Sequence, residues 1–247
     1  MDRKYVNSPI IEAVCEFRLS PDTKWDLTIP GLIYEKVNNE FPNKEQRLIQ
    51  EVEGVHGPQE LQHQIRTSER ALFLSNDRKT FIQVGPRLLA VNCLKPYPTW
   101  DRFNLKIKDA FKALIDTVEV KGFQRIGLRY INRIEVTGQS VNLDDCFEFR
   151  PFLGQALPQQ NMTSFIVGCL LPFLDDRDSC RIQLSNAVPE EPNSSAFLLD
   201  LSYSIVQPQA VPVNQTLEWV ESAHQQVEKI FEGCITDNLR EVFQEVK

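Results

Sequence analysis

The fold is decided by the stretch Arg125-Ile126-Gly127-Leu128-Arg129-Tyr130-Ile131-Asn132-Arg133-Ile134-Glu135, whose residues sort by parity into two different faces. Every second side chain of a β-strand points to the same side of the sheet. The even-numbered residues form an apolar face that is interrupted by Asn132. The odd-numbered residues include Arg125, Arg129 and Arg133. We therefore expect Phe123–Val136 to form a central strand that buries one face.

Asn132 needs hydrogen-bond partners on such a face, because an unsatisfied buried polar group costs about 1–3 kcal/mol. Two interpretations fit the sequence. In the first, Asn132 ties down a loop or the end of an adjacent helix. In the second, it lines a polar pocket beside Tyr130. The sequence favours the first.

The three arginines are four residues apart, which is about 13 Å in an extended chain. Guanidinium groups in such a row suit phosphate, carboxylate or the acidic patch of a partner. Alternatively, Glu12 and Glu16 of a predicted strand over Ile10–Leu19 pair with them across a shared sheet. Asp200 interrupts an apolar run and is a further candidate partner for one arginine. The candidate ligand- or partner-binding residues are Arg125, Arg129, Arg133, Tyr130, Asn132 and Asp200.

The remaining pattern predicts an α+β fold made of two related halves, residues 1–122 and 123–247, which form one compact unit. Each half is expected to run from a strand through a short helix and antiparallel strands to a longer helix. The first strands of the halves are expected to pair in a common sheet. The long C-terminal helix is expected to pack on that sheet, and a dimer contact is the alternative.

Three local expectations follow from the second half. Leu143–Phe149 is predicted to be its short helix. The apolar stretch Phe165–Phe173 is interpreted as a buried strand. The acidic run Asp175-Asp176-Arg177-Asp178 is interpreted as a hydrophilic hairpin tip.

Charge and composition disfavour several classes of function. The 247 residues carry a formal net charge of −7, whereas a duplex-binding surface usually has an excess of lysine and arginine. General nucleic-acid binding and attachment to a membrane surface are therefore not expected. The N-terminal residues lack the apolar region of a signal peptide, so the expected location is the cytoplasm. The six scattered cysteines are expected to be reduced.

Catalytic motifs are recognised by the spacing of their residues. The three histidines do not have the spacing of a metal site, and no GxSxG, P-loop or GxGxxG motif occurs. We therefore assign no catalytic residue, no metal ligand and no cofactor.

Three segments resemble a sporadically distributed prokaryotic family of unknown function. They are Tyr5-Val6-Asn7-Ser8-Pro9-Ile10-Ile11-Glu12-Ala13-Val14-Cys15-Glu16, the strand Ile126–Ile134, and a tail with His224, Ile230-Phe231, Ile235-Thr236 and Leu239. The family usually has Asn-Pro-Pro-Ile where this chain has Asn7-Ser8-Pro9-Ile10. The resemblance implies a lineage without an established activity, and its patchy distribution suits genes of accessory or defence-type loci.

Three functional hypotheses result. The leading one is a non-enzymatic binding or regulatory protein, such as an antitoxin-like subunit, with a protein partner or as a homodimer. The second is a sensor that binds a small anion, such as a nucleotide or metabolite, through Arg129 and Arg133. The third is a hydrolase or nuclease that uses carboxylates, which requires carboxylates that converge with open coordination positions.

Overall fold

The computed structural model describes residues 5–56, 61–154, 162 and 164–244, and for 49–56 and 61–67 it describes the backbone alone. Nine strands and four helices lie in this part of the chain. The strands are β1 (Ile10–Leu19), β2 (Asn43–His56), β3 (Leu61–Leu74), β4 (Thr80–Gly85), β5 (Leu88–Leu94), β6 (Phe123–Thr137), β7 (Ile166–Phe173), β8 (Asp178–Ala187) and β9 (Ser194–Ile205). The helices are α1 (Ile29–Val37), α2 (Trp100–Ile115), α3 (Thr216–Cys234) and α4 (Asp237–Phe243).

The nine strands form one sheet in the order β2-β3-β4-β5-β1-β6-β9-β8-β7. The pairs β2–β3, β3–β4, β4–β5, β6–β9, β9–β8 and β8–β7 are antiparallel. All of these pairs except β6–β9 join consecutive strands, as is typical of antiparallel sheets with short connecting turns. The predicted α+β class is confirmed, with the sheet as its larger part, and β6 lies inside the sheet as its sequence indicates.

The chain divides into two compact units. Unit 1 comprises Met1–Val14, Leu94–Pro98 and Gly127–Lys247. Unit 2 comprises Cys15–Cys93 and Thr99–Ile126.

Unit 2 has an aromatic core against α2. The ring of Phe17 on β1 lies 5.1 Å from that of Phe111 on α2 and 6.0 Å from that of Phe123 on β6, and all three are buried. Helix α2 begins after Thr99, whose hydroxyl oxygen accepts a hydrogen bond from the backbone N–H of Arg102. Threonine is a favoured residue at this capping position. Burial of each aromatic side chain contributes about 1.5–3 kcal/mol, so the cluster holds α2 on this face of the strands.

In unit 1, helix α3 contacts β9 and the start of β8. The rings of Trp219 on α3 and Tyr203 on β9 lie 5.8 Å apart, and both side chains are buried. Between them lies the carboxylate of Asp178, which accepts hydrogen bonds from Tyr203 Oη at 3.2 Å and Trp219 Nε1 at 3.1 Å. Arg177 donates to both carboxylate oxygens, at 3.0 and 2.8 Å. Burial, followed by the charge of Asp178, raises the pKa of Tyr203, so the phenol remains a donor.

The interpretation of Asp178 as part of an exposed hairpin tip was wrong. Its side chain is only 1% exposed and opens β8, whereas Asp175 and Asp176 are exposed. The alternation of buried residues along β8, which includes Cys180 and Ile182, puts Asp178 on the core face. The place of Asp178 in the alternation of β8 therefore decides that it is buried, although the residues just before it are polar and exposed.

Two further expectations need correction. The segment predicted as a helix over Leu143–Phe149 has only one 3-10 turn, Leu143–Asp145, because Phe147 is buried and pairs with Ile235 in a β-bridge. The sequence pattern also predicts two separate strands, one over residues 61–66 and one over residues 71–75, whereas the structure has one continuous strand there, β3. Its antiparallel pairing with β2 runs without interruption from Asn43 opposite Leu74 to His56 opposite Leu61, so the polar residues between the two predicted strands do not break it.

We expect Asp178→Ala to destabilise the protein by about 3 kcal/mol, because it leaves the buried donors of Tyr203 and Trp219 without their acceptor. Urea denaturation followed by circular dichroism measures this change. Asp109→Ala, which removes an exposed aspartate of α2, is the control and should change the free energy of unfolding by less than about 0.5 kcal/mol. Equal stability of the two variants would contradict the central role of Asp178.

Candidate functional site

Strand β6 divides its polar residues between two faces. Tyr130 is 4% exposed and Asn132 is 2% exposed, whereas the side chain of Arg129 between them is 43% exposed. The predicted separation of a core face from an arginine face is therefore present in the structure.

On the core face, both polar groups have partners. Tyr130 Oη lies 3.1 Å from His224 Nδ1 of α3, and its ring packs edge-to-face on that of Tyr97. The Asn132 side-chain amide donates to the backbone carbonyl of Leu199 on β9 at 3.1 Å. Asn132 thus ties β6 to the neighbouring strand, rather than to the loop or helix end that the sequence favoured. In this position it has a structural role.

On the outer face, Asp200 of β9 brings two arginines together. It accepts hydrogen bonds from Arg129 Nε and Nη2, both at 2.8 Å, and from Arg181 Nη2 at 2.7 Å. Arg181 on β8 also donates to Gln183 Oε1 at 2.9 Å. We call Arg129, Arg181, Gln183 and Asp200 the Asp200 cluster. The expected pairing of Asp200 with an arginine of β6 is confirmed, and Arg129 is that arginine.

The other two arginines of β6 do not join this cluster. Arg125 Nη1 lies 3.7 Å from Glu16 Oε1, which is the cross-strand pairing that the sequence suggested for Glu16. Arg133 donates to the backbone carbonyl of Val188 at 2.6 Å and to Glu135 at 3.3 Å, and its Nε lies 3.2 Å from Glu190 Oε1. The sequence predicts three arginines in one row, but in the structure each of the three has different partners.

Glu135 holds the loop that follows β8. Its carboxylate accepts hydrogen bonds from the backbone N–H groups of Glu191 at 2.6 Å and Glu190 at 3.1 Å. The bond from Glu191 is the largest cause that lowers the pKa of Glu135. Arg133 and Glu135 therefore position this loop.

Strand register places the Asp200 cluster beside β7. Arg129 is opposite Ser202 on β9, Ser202 is opposite Arg181 on β8, and Arg181 is opposite Leu170 on β7. Directly opposite residues point to the same face of a sheet, so the guanidinium groups and Leu170 share one face. Leu170 is 64% exposed and Ile166, two residues earlier, is 75% exposed.

The interpretation of Phe165–Phe173 as a buried strand was therefore wrong. The strand lies at the end of the sheet order, with β8 as its one neighbour among the described strands. The even-numbered residues of β7 are exposed from one end of the strand to the other. An apolar run looks the same in a buried strand and in an edge strand, which is why the sequence did not distinguish them.

Arg181 and Gln183 are the two members of the cluster that were not among the candidates from the sequence. Cys180, Ile182 and Leu184 alternate as buried residues on β8, so parity alone predicts that Arg181 and Gln183 point outward. The missing information was that β8 pairs with β9 in the register that brings Arg181 to Asp200.

Three further observations bear on function. The described residues contain no group of three histidine, cysteine or acidic side chains arranged to hold a metal ion. No helix in the described part of the chain has both the length and the apolar character needed to span a membrane. No model of a known protein family matches the chain, and no curated protein matches it.

We expect the two arginines to share Asp200 in a non-additive way. Arg129→Ala and Arg181→Ala each leave Asp200 with one guanidinium partner. Each substitution alone should therefore lower the free energy of unfolding by about 1 kcal/mol. The double variant leaves a carboxylate that is 10% exposed without either arginine and should cost about 3 kcal/mol, more than the sum. Urea denaturation of the four proteins measures the difference.

The control is the same set of variants in an Asp200→Asn background. The arginines have no carboxylate to share there, so their losses should add within about 0.5 kcal/mol. Additive losses in the unaltered background as well would show that Asp200 does not couple the two side chains.

Proposed function

We propose that the chain is a non-enzymatic binding protein of a regulatory kind, which binds a protein partner through the outer face of β6, β9, β8 and β7. The partner presents acidic side chains next to apolar ones. The observation that carries the proposal is the register of Arg129 and Arg181, both oriented and half-exposed, with the exposed Leu170.

The arginines of the Asp200 cluster are oriented in the absence of a partner. Arg129 is 43% exposed and Arg181 is 42% exposed, although both donate to Asp200. A guanidinium that is already fixed loses less conformational freedom when it binds a carboxylate. With two arginines and one aspartate, the four residues of the cluster have a positive formal charge, in a chain whose net charge is −7. An acidic group of a partner is the matching chemistry.

Both oxygens of the Asp200 carboxylate accept hydrogen bonds from guanidinium groups. This carboxylate therefore orients arginines. Such a use supports a role in recognition more directly than a role as a catalytic base.

Apolar area on the same face supports a protein partner over a small ion. A partner that covered Leu170 and Ile166 would bury their exposed apolar surface. Such burial stabilises a complex by about 25 cal/mol for each Å² removed from water. Arginine and apolar side chains that are surrounded by polar groups are typical of the centre of a protein interface. Here Gln183 and Ser202 provide the polar groups between them.

A different protein is favoured over a second copy of this chain. In a twofold dimer the same patch meets itself, so two positive Asp200 clusters would face each other. Like charges at an interface oppose association. An acidic partner avoids this repulsion.

The proposal also covers the cellular location of the chain and the family that it resembles. The setting is the cytoplasm of a prokaryote, where the chain would serve as a regulatory or antitoxin-like subunit of an accessory or defence system. The resemblance of its N-terminus and of β6 to a sporadically distributed prokaryotic family supports the lineage. The six cysteines are free thiols, which suits a reducing compartment.

We further propose that residues 1–122 and 123–247 are related halves that fold together. The strand order supports this relation, because β1 adjoins β5 and β6 adjoins β9, so that in each half the first strand lies beside the last. The contacts of α3 with β9 likewise support the packing of the long C-terminal helix on the sheet.

The proposed interface predicts that Leu170→Asp and Arg181→Gln each reduce capture of a specific partner. The tagged chain is expressed at its native level, and co-purified proteins, including products of neighbouring genes, are quantified by mass spectrometry. The unaltered chain should retain one partner in stoichiometric amount. Loss of one central interface residue should weaken binding by about 1–2 kcal/mol or more, which is at least about a fivefold change in affinity.

Leu27→Asp is the matched control, because Leu27 is 97% exposed in unit 2. The control should retain the partner. The proposal is refuted by the absence of a stoichiometric partner, by equal loss from the Leu27 variant, or by retention of the partner in both face variants. Size-exclusion chromatography with light scattering distinguishes a second copy of the chain from a different protein.

A further inference from the structure

Strand β7 is the last strand of the sheet in the part of the chain that the structure describes, and we call its side away from β8 the β7 edge. The antiparallel pairing with β8 runs without a break from Ile166 opposite Ser185 to Phe173 opposite Asp178. In such a pair, the backbone N–H and C=O groups of alternate residues point toward the neighbouring strand, and those of the residues between them point away. Parity therefore decides which backbone groups of β7 lie at this edge.

Two residues fix the parity of β7. The backbone N–H of Phe165, just before the strand, donates to the side-chain oxygen of Asn186 on β8 at 3.0 Å. Odd-numbered residues therefore turn their N–H groups toward β8. Pro172 agrees with this assignment, because proline has no N–H group and is tolerated in a strand where that group would point away from the sheet. The residues that turn both N–H and C=O toward the β7 edge are Ile166, Gly168 and Leu170.

Strand β7 has few of the features that usually protect an edge strand. Such strands commonly carry charged side chains or proline, which discourage pairing with another chain. The sequence of β7 has no charged residue, and Pro172 protects one end of it. The side chains of Ile166 and Leu170 are largely exposed. The β7 edge is therefore suited to pairing with a further strand.

Gly168 leaves a gap on the face that carries the Asp200 cluster. It lies between Ile166 and Leu170 and is opposite Gln183 on β8. A Cβ atom added at Gly168 would come within 3.2 Å of the backbone oxygen of Ile182, so a larger residue would disturb the pairing with β8. A residue of an added strand opposite Gly168 would lie two strand spacings, about 10 Å, from Gln183. Its side chain could extend toward Gln183 because Gly168 has no side chain to block it.

The charge beside this gap is positive. Arg181 is opposite Leu170, its Nη1 donates to Gln183 Oε1 at 2.9 Å, and its side chain is half-exposed. The other charged residue of β8, Asp178, points into the core. A positive side chain at this position favours an acidic side chain on the strand that binds next to it.

We infer that the acidic partner adds an extended segment to the β7 edge, antiparallel to β7, with an acidic residue opposite Gly168 and apolar residues opposite Ile166 and Leu170. This inference rests on the proposed function and specifies how the partner binds. A second copy of this chain fits less well, because β7 contains no acidic residue that could pair with Arg181.

The backbone orientation is tested on the full chain alone by amide hydrogen exchange, measured by nuclear magnetic resonance. The amides of Gly168 and Leu170 should exchange at least about tenfold faster than those of Val167 and Cys169, which face β8. Equal protection of all four amides would overturn the inference, because the β7 edge would then be covered already. Protection of Gly168 and Leu170 that grows with protein concentration would also overturn it, because a second copy would then occupy the edge.

Binding of a strand is tested with the peptide Thr-Val-Thr-Glu-Thr-Val-Thr, whose valines and glutamate share one face when it is extended. Saturable binding with a Kd of about 1 mM or tighter is expected, with slower exchange of the Gly168 and Leu170 amides. N-methylation of both valines removes N–H groups that face β7 and should weaken binding by at least about tenfold. N-methylation of the two central threonines, whose N–H groups face away, is the matched control and should change the affinity much less.

The charge preference is tested with the same peptide carrying lysine in place of glutamate. The lysine peptide should bind the unaltered chain at least about fivefold more weakly. This difference should disappear in Arg181→Gln and persist in Arg102→Gln, which changes an exposed arginine of α2. The inference is overturned if the glutamate peptide does not bind saturably, if valine N-methylation has no more effect than threonine N-methylation, or if the two charged peptides bind equally well. If a stoichiometric partner is nevertheless captured, the proposed function stands and the partner binds in another way; absence of such a partner refutes the proposed function itself.

Discussion

Asp200 accepts two hydrogen bonds from Arg129, each at 2.8 Å, on the side of β6 opposite Tyr130 and Asn132. This pair and the buried side chains behind it require one register between β6 and β9. A slip of one residue would turn Arg129 into the core and Tyr130 into water. A buried charge without a partner costs several kcal/mol, so such a slip is strongly disfavoured. The register of β6 is thus specified from both faces of the sheet, and the face that carries the Asp200 cluster depends on it.

Asp178 and Asp200 lie in similar hydrogen-bonded environments on opposite faces of unit 1. Each is an almost fully buried carboxylate that accepts hydrogen bonds from arginine. Asp178 adds donors from the aromatic residues Tyr203 and Trp219, so its face is closed by α3. Asp200 adds Arg181, and its two arginines remain half-exposed. The first carboxylate therefore stabilises a core, whereas the second orients a surface.

The parts that the sequence predicts well are those that depend on alternation within one strand. The two faces of β6, its place inside the sheet and the pairing of Asp200 with one of its arginines all follow from parity. The parts that it predicts poorly depend on which strands are neighbours. Nothing local in the apolar residues of β7 shows that the strand lies at the end of the sheet, and nothing local brings Arg181 to Asp200.

The two-faced character of β6 is tested most directly by a scan of single cysteine substitutions at residues 128 to 133, in a chain that carries Cys169→Ser. Cys169 is the one native thiol that is not buried, and burial raises the pKa of the Cys180 and Cys234 thiols to about 12, so they form little thiolate at pH 8. Labelling by a maleimide should be fast at residues 129, 131 and 133, and slow at residues 128, 130 and 132, with circular dichroism to confirm that each variant is folded. Equal labelling of neighbouring positions, or a period of three to four residues, would contradict the account of β6 on which the site depends.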